Sequence, residues 1–140
     1  MRTGTSQAGH VPLAARSGTD VAEASFLRGV QAADGDGVLR FTSVFPGAYS
    51  GRWPHIHFEV FDGLGAATTG RNAVRVSQLA LPADVCQQVY ASSGYEASAQ
   101  NMARSSLSSD MVFRDGVDLQ LAALSGSVAG GYTARLTVGT

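Results

Sequence analysis

The chain has 140 residues, 44% hydrophobic and 15% charged, which suits one domain with one core. Its formal net charge of −1 offers no basic surface, so neither nucleic acid nor an anionic membrane is expected as a partner. No apolar run approaches the roughly 20 residues that span a bilayer. The chain opens Met-Arg-Thr-Gly-Thr-Ser-Gln-Ala-Gly-His with no apolar export segment, so a cytoplasmic location is expected. All ten basic residues are Arg, a compositional habit rather than a functional sign. Cys86 is the sole cysteine, which excludes an intrachain disulfide, and its apolar surroundings suit a small buried hydrophobe.

Residues 1–25 have no clear period and are rich in Gly, Ala, Ser and Thr, so they read as an irregular N-terminal segment, extended or loosely ordered. A short strand, Phe26-Leu27-Arg28-Gly29-Val30-Gln31, ends at the turn cluster Asp34-Gly35-Asp36-Gly37. Residues 38–45 then alternate, with Leu39, Phe41 and Phe45 on one side, as a half-buried second strand of a hairpin does. Pro46-Gly47 breaks that strand. The run His55-Ile56-His57-Phe58-Glu59-Val60-Phe61 is a third strand, with Ile56, Phe58 and Val60 on one face and the two His on the other. A Gly/Ala/Thr-rich loop over 62–70 leads to a fourth strand over 74–81. Pro82-Ala83-Asp84-Val85 starts a helix that runs to about Ala91, with Pro in its first turn and an acid at its positive end. Residues 92–110 read as irregular, and two strands over 117–124 and 132–138 close the chain. Short strands, Gly-rich turns and one short helix together argue an all-β domain, a sandwich or barrel, over 26–140.

The chemistry-bearing residues crowd into 49–57. His55 and His57, two apart on a strand, project to one face and would make a rigid bidentate anchor for Zn, Cu, Fe or Ni. A pair of ordinary packed histidines is the alternative. Tyr49 and Arg52 stand just before, where Pro46-Gly47 and Gly51 turn the chain back towards the His strand. A phenol ionises near pH 10, so a phenolate ligand at neutral pH needs a strong Lewis acid such as ferric iron. Arg52 would supply a fixed positive charge for an anionic substrate or intermediate. A surface Tyr in a turn and a solvated Arg are the plainer reading, and these residues alone leave both open. Trp53 is read either as a pocket wall or as a cap on an apolar edge. Glu59 is read as a solvated strand residue or as an acceptor that orients a His ring.

Phe26-Leu27-Arg28-Gly29-Val30-Gln31, the turn at 34–37, Phe45-Pro46-Gly47-x-Tyr49-x-Gly51-Arg52 and His55-Ile56-His57-Phe58 together resemble the core of the intradiol ring-cleavage dioxygenases, the family of catechol and protocatechuate dioxygenases. The resemblance continues through Ser77-Gln78-Leu79, Asp110-Met111-Val112-Phe113-x-Asp115-Gly116 and the final strand. It implies a β-sandwich holding non-haem Fe3+ by two Tyr and two His. On the matching positions Tyr49 is the second tyrosinate, His55 and His57 are the histidine ligands, Arg52 is the anion-stabilising Arg and Gln78 lies beside the bound ring. The implied reaction is cleavage of a catechol-like aromatic with O2 to a muconate-type diacid, in some members by paired homologous chains. A homo-oligomer is expected too, because a sandwich without the family's N-terminal strands leaves an edge or apolar patch to cover.

The family's first ligand Tyr has no counterpart. No Tyr precedes Tyr49, and aligning Gly9-His10 on the family's Gly-x-Tyr stretch puts Val11 at that position. Three arrangements answer this: His10 as a substitute ligand, a three-ligand site of Tyr49, His55 and His57, or a site that has lost iron. Tyr90 and Tyr95 are the remaining phenols ahead of the last strand, read mainly as a helix-end packing residue and a loop aromatic. The alternative functions are a metal-free cyclase or isomerase using Tyr49 and His as acid and base, and a non-catalytic binding or partner subunit.

Overall fold

A computed structural model of the chain describes residues 4–7 and 28–139. Within the segment expected to be extended or loosely ordered, Gly4–Gln7 is a strand, β1. Phe26, Leu27, His10 and Val11 lie outside the described residues. The strands that follow are β2 (Arg28–Gln31), β3 (His55–Val60), β4 (Arg75–Ala80), β5 (Ala123–Ser127) and β6 (Gly131–Arg135). They form a four-stranded antiparallel sheet in the order β2-β1-β3-β4 and a separate β5-β6 hairpin. The C-terminal segment joins the larger sheet where Ala80 N–H donates to Gln120 O at 2.7 Å and Ala122 N–H donates to Ala80 O at 3.0 Å.

Strands outnumber helices six to three among the described residues, so the expectation of one short helix is corrected there to three: α1 (Leu64–Thr69), α2 (Ala83–Tyr90) and α3 (Glu96–Ala103). The helix expected from Pro82 onwards is α2. The expected 62–70 loop is mostly α1, a single Ala-rich run closed by Gly70 in the left-handed conformation (φ 64°). The expected irregular stretch 92–110 contains α3, whose buried Ser98 and Met102 are four residues apart and so share one face.

The alternating stretch 38–45 is the reverse case. It forms no strand, and most of its side chains are exposed. A strand is made by its partner, and here the Arg40 N–H is taken by the Gln31 side chain at 3.3 Å rather than by a neighbouring backbone. The turn before it is real: Asp34 Oδ1 accepts from the N–H groups of Asp36 at 3.0 Å and Val38 at 2.8 Å. The expected strand over 117–124 starts only at Ala123, because Val117 O accepts from the N–H groups of Gln120 and Leu121 in a turn.

The core gathers at one end of the sheet. Ala80 and Leu81 at the exit of β4, Cys86, Val89 and Tyr90 of α2, Met102 of α3, Phe113, and Ala48 and Trp53 of the segment before β3 pack together. Removing such apolar surface from water is the main favourable term in folding. Its placement matters for function, because the segment carrying Tyr49 and Arg52 is pressed onto this core.

Candidate functional site

β3 sits between β1 and β4, so hydrogen bonds on both sides fix its register. Side chains alternate along it, which puts His55, His57 and Glu59 on one face. Gln78 of β4 is directly opposite His57, and Ala80 directly opposite His55. Directly opposed residues share a face, so Gln78 joins the histidines there.

Residues 45–53 have almost no regular structure, yet nearly every turn of this segment is held from outside. Tyr95 Oη donates to Phe45 O and Tyr90 Oη to Pro46 O, each at 2.8 Å. Ser98 Oγ accepts from Ala48 N–H at 3.1 Å, and Asn101 Nδ2 donates to Ala48 O at 2.9 Å. The chain then reverses where Arg52 N–H donates to Tyr49 O at 3.3 Å. Gly51, third of the four turn residues, has φ 82°, which only glycine adopts without strain. Trp53 is buried in the core, with its Nε1–H donating to Leu81 O at 2.9 Å.

This scaffold brings Tyr49, Arg52, His55 and Gln78 together. His55 is buried, and its Nδ1–H donates to Trp53 O at 2.6 Å. A carbonyl can only accept, so Nδ1 carries the proton and Nε2 carries the lone pair. Burial pushes the imidazole pKa down, helped by Arg52 and His57 and opposed by the Trp53 carbonyl, which keeps the ring neutral at neutral pH. Nε2 faces Tyr49 Oη at 3.4 Å, long for a hydrogen bond from a hydroxyl. Two donor atoms each about 2.1 Å from one small metal ion stand about 3.0–3.4 Å apart in octahedral or tetrahedral geometry. The phenol and imidazole therefore have the spacing of a shared ion. Phe113 packs edge-on against His55, with ring centroids 6.4 Å apart.

Arg52 occupies the other side. Its Nη1 donates to Tyr49 Oη at 3.2 Å, and its Nη2 donates to Gln78 Oε1. Behind it, Nε donates to Asp110 Oδ2 at 2.9 Å in a salt bridge whose acid is fully buried. Burial alone would raise the Asp110 carboxyl pKa, but hydrogen bonds from Arg52, Trp53 N–H and Val112 N–H outweigh it and hold the group below the usual carboxylate range. Asp110 raises the Arg52 pKa in return, against the opposing effect of burial.

His57 is placed differently. It shares the face of His55, but its Nε2 lies 3.3 Å from Glu59 Oε1, and both side chains are about a quarter exposed. Glu59 thus acts as an acceptor for a His ring. Tyr90 and Tyr95 point away from the site to the Phe45 and Pro46 carbonyls, with their rings stacked 5.5 Å apart, which supports their reading as packing residues. Among the described residues no three His, Cys, Asp or Glu side chains converge as a metal group. The donor set that does converge is a phenol and a neutral imidazole, and that chemistry fits a hard, strongly acidic ion. Asp110, Ser98 and Asn101 had no site role in the sequence reading. Only Asp110 left a trace there, as an acid directly ahead of the apolar run Met111-Val112-Phe113.

No protein-family model and no curated protein matches the sequence. Solved structures do. An intradiol ring-cleavage dioxygenase from Tetranychus urticae aligns with a TM-score of 0.64 at 25% identity, over 79% of this chain and 51% of that one. The crystal structure of a second dioxygenase aligns with a TM-score of 0.67 at 20% identity, over 95% of this chain and 67% of that one. This chain thus spans about half the length of the first and two thirds of the second. The likeness is one of fold, and it agrees with the resemblance carried by the motifs.

Proposed function

We propose that this chain is an intradiol dioxygenase-like enzyme that uses non-haem iron and O2 on a catechol-like aromatic substrate. The observation that carries the reading is the 3.4 Å approach of Tyr49 Oη to the lone-pair nitrogen of His55, with Arg52 bonded to the same phenol oxygen. The fold likeness to intradiol dioxygenases supports it.

Tyr49, His55 and His57 would hold the iron. Ferric iron in such a site supplies a Lewis acid that stabilises phenolate and catecholate oxygens near neutral pH. His55 contributes a pre-set tautomer, so no proton must leave it on binding. Tyr49 Oη is the atom that accepts a proton from an incoming catechol hydroxyl, and Arg52 Nη1 stays close enough to hold the charge as it moves. Gln78, tethered to Arg52, flanks the same space and orients the ring. The buried Phe113 beside His55 keeps water from that side.

One observation favours a second reading, metal-free acid–base chemistry by Tyr49 and His55. His57, the third donor, has its Nε2 3.3 Å from Glu59 Oε1. Adding ferric iron to the purified protein separates the two readings. The iron reading expects a visible tyrosinate charge-transfer band that disappears in Tyr49→Phe. It also expects elemental analysis to show iron lost from His55→Ala and His57→Ala. A protein that stays colourless and takes up no iron would sink it.

A further inference from the structure

We infer that Asp110 is the positioning residue of this site, fixing the guanidinium of Arg52 so that its outer N–H groups meet Tyr49 and Gln78. Asp110 is 1% exposed, and its two oxygens are filled from both sides. Oδ2 accepts from Arg52 Nε at 2.9 Å and from Trp53 N–H at 2.8 Å. Oδ1 accepts from Arg52 Nη2 at 3.3 Å, Val112 N–H at 2.8 Å and Phe113 N–H at 3.3 Å. Three backbone amides thus fix the carboxylate, and the carboxylate fixes two N–H groups of the guanidinium.

A guanidinium is a planar fork, so holding Nε and Nη2 on one edge determines where Nη1 points. In this chain it points at Tyr49 Oη, 3.2 Å away. Arg52 is attached to a turn and its side chain is 12% exposed; on that turn the Tyr49 hydroxyl takes one N–H group of Nη1, whereas Asp110 takes two N–H groups of the opposite edge. A buried carboxylate that accepts five hydrogen bonds has no freedom to follow a moving partner. The position of the charge facing the phenol is therefore set by a residue 58 positions later in the chain.

The inference rests on the site reading above, and the test separates the two. The primary variant is Asp110→Asn, which keeps the shape but presents an amide N–H₂ where one oxygen accepts. Arg52→Lys is the companion: it keeps the charge, removes the fork and leaves the three backbone amides on Asp110 untouched. The first readout is the Arg52 Nε–H signal in 15N-correlated NMR of the metal-free protein. Wild type should show it resolved and slow to exchange at neutral pH; Asp110→Asn should lose it while the other nine Arg signals stay in place. The second readout is the affinity of iron-loaded protein for 4-nitrocatechol, read by its visible spectrum. Asp110→Asn and Arg52→Lys should each weaken binding about tenfold, and the double variant should be no weaker than Arg52→Lys alone.

A purely structural Asp110 would lower the melting temperature yet leave nitrocatechol affinity and the Arg52 signal as in wild type, and that result overturns the inference. If Asp110→Asn does not fold, Arg52→Lys decides: wild-type nitrocatechol affinity in that variant also overturns it. Wild type that shows the protected Arg52 signal but binds neither iron nor nitrocatechol would overturn the proposed function and leave the positioning intact.

Discussion

Asp110 has a consequence for acid stability. Its carboxyl is held below the usual range in the folded chain, so folding favours the ionised form. That contribution is complete above about pH 5, where even an unfolded aspartate is ionised, and is lost as pH falls through the lower folded value. Asp110→Asn should therefore be less stable than wild type at neutral pH, and its stability should fall less steeply between about pH 5 and pH 2. Urea titrations across that range would measure both slopes. Tyr90 offers a test of a buried hydroxyl. It donates to Pro46 O and also meets the Cys86 thiol, so Tyr90→Phe removes the bond to the carbonyl together with the thiol contact. The expected loss is about 1–3 kcal/mol, measurable by denaturant unfolding. Cys86 should be inert. Burial pushes its thiol up to about 12, so almost no thiolate exists at neutral pH. Iodoacetamide should label it at least ~10-fold more slowly in the native protein than in urea.

Two glycines in left-handed or extended positive-φ geometry separate conformational strain from collision. Gly51 has φ 82° in the turn after Tyr49, and a Cβ there would meet open space. Gly126 in β5 has φ 124°, and a Cβ there would lie 2.1 Å from Gly131 O across the hairpin. Gly51→Ala should cost roughly 1–2 kcal/mol from backbone strain alone. Gly126→Ala should cost more, because the β5-β6 pairing must shift as well, and melting curves of the two variants would rank them. The same elements show what could be read before the fold was known. β3 and β4 were legible because alternation and partner coincide: both are paired along their length. Residues 38–45 alternate just as well but have no partner strand among the described residues, so period alone misled. Helices α1 and α3 were missed because they are six and eight residues long and lack a continuous apolar stripe. That Tyr49, Arg52, His55 and Gln78 come together was legible through the family resemblance of their motifs, which their spacing alone left open. Asp110 was not, since nothing local marks an acid as the partner of an Arg so far back.

The two edges of the larger sheet shape the behaviour of the whole molecule. β2 and β4 are its outer strands, with Val30 40% exposed and Val76 58% exposed. Such edges are usually covered or blunted. The proposed oligomer, of identical chains or with a homologous subunit, would cover them, and sedimentation at micromolar concentration should show an assembly larger than one chain. A monomer there would remove that part of the proposal. Among the described residues no helix is long and apolar enough to cross a membrane. The salt bridge between Arg52 and Asp110 also bears on biosynthesis. The stretch from Tyr49 to His57 is complete as sequence once residue 57 has been added, but its guanidinium has no anchor until residue 110 follows. At about 5–20 residues per second, the ribosome needs roughly 3–10 s to bridge that gap. During those seconds the nascent chain carries Arg52 without the carboxylate that fixes its guanidinium. The Arg52–Asp110 pair therefore forms only after residue 110 has been added.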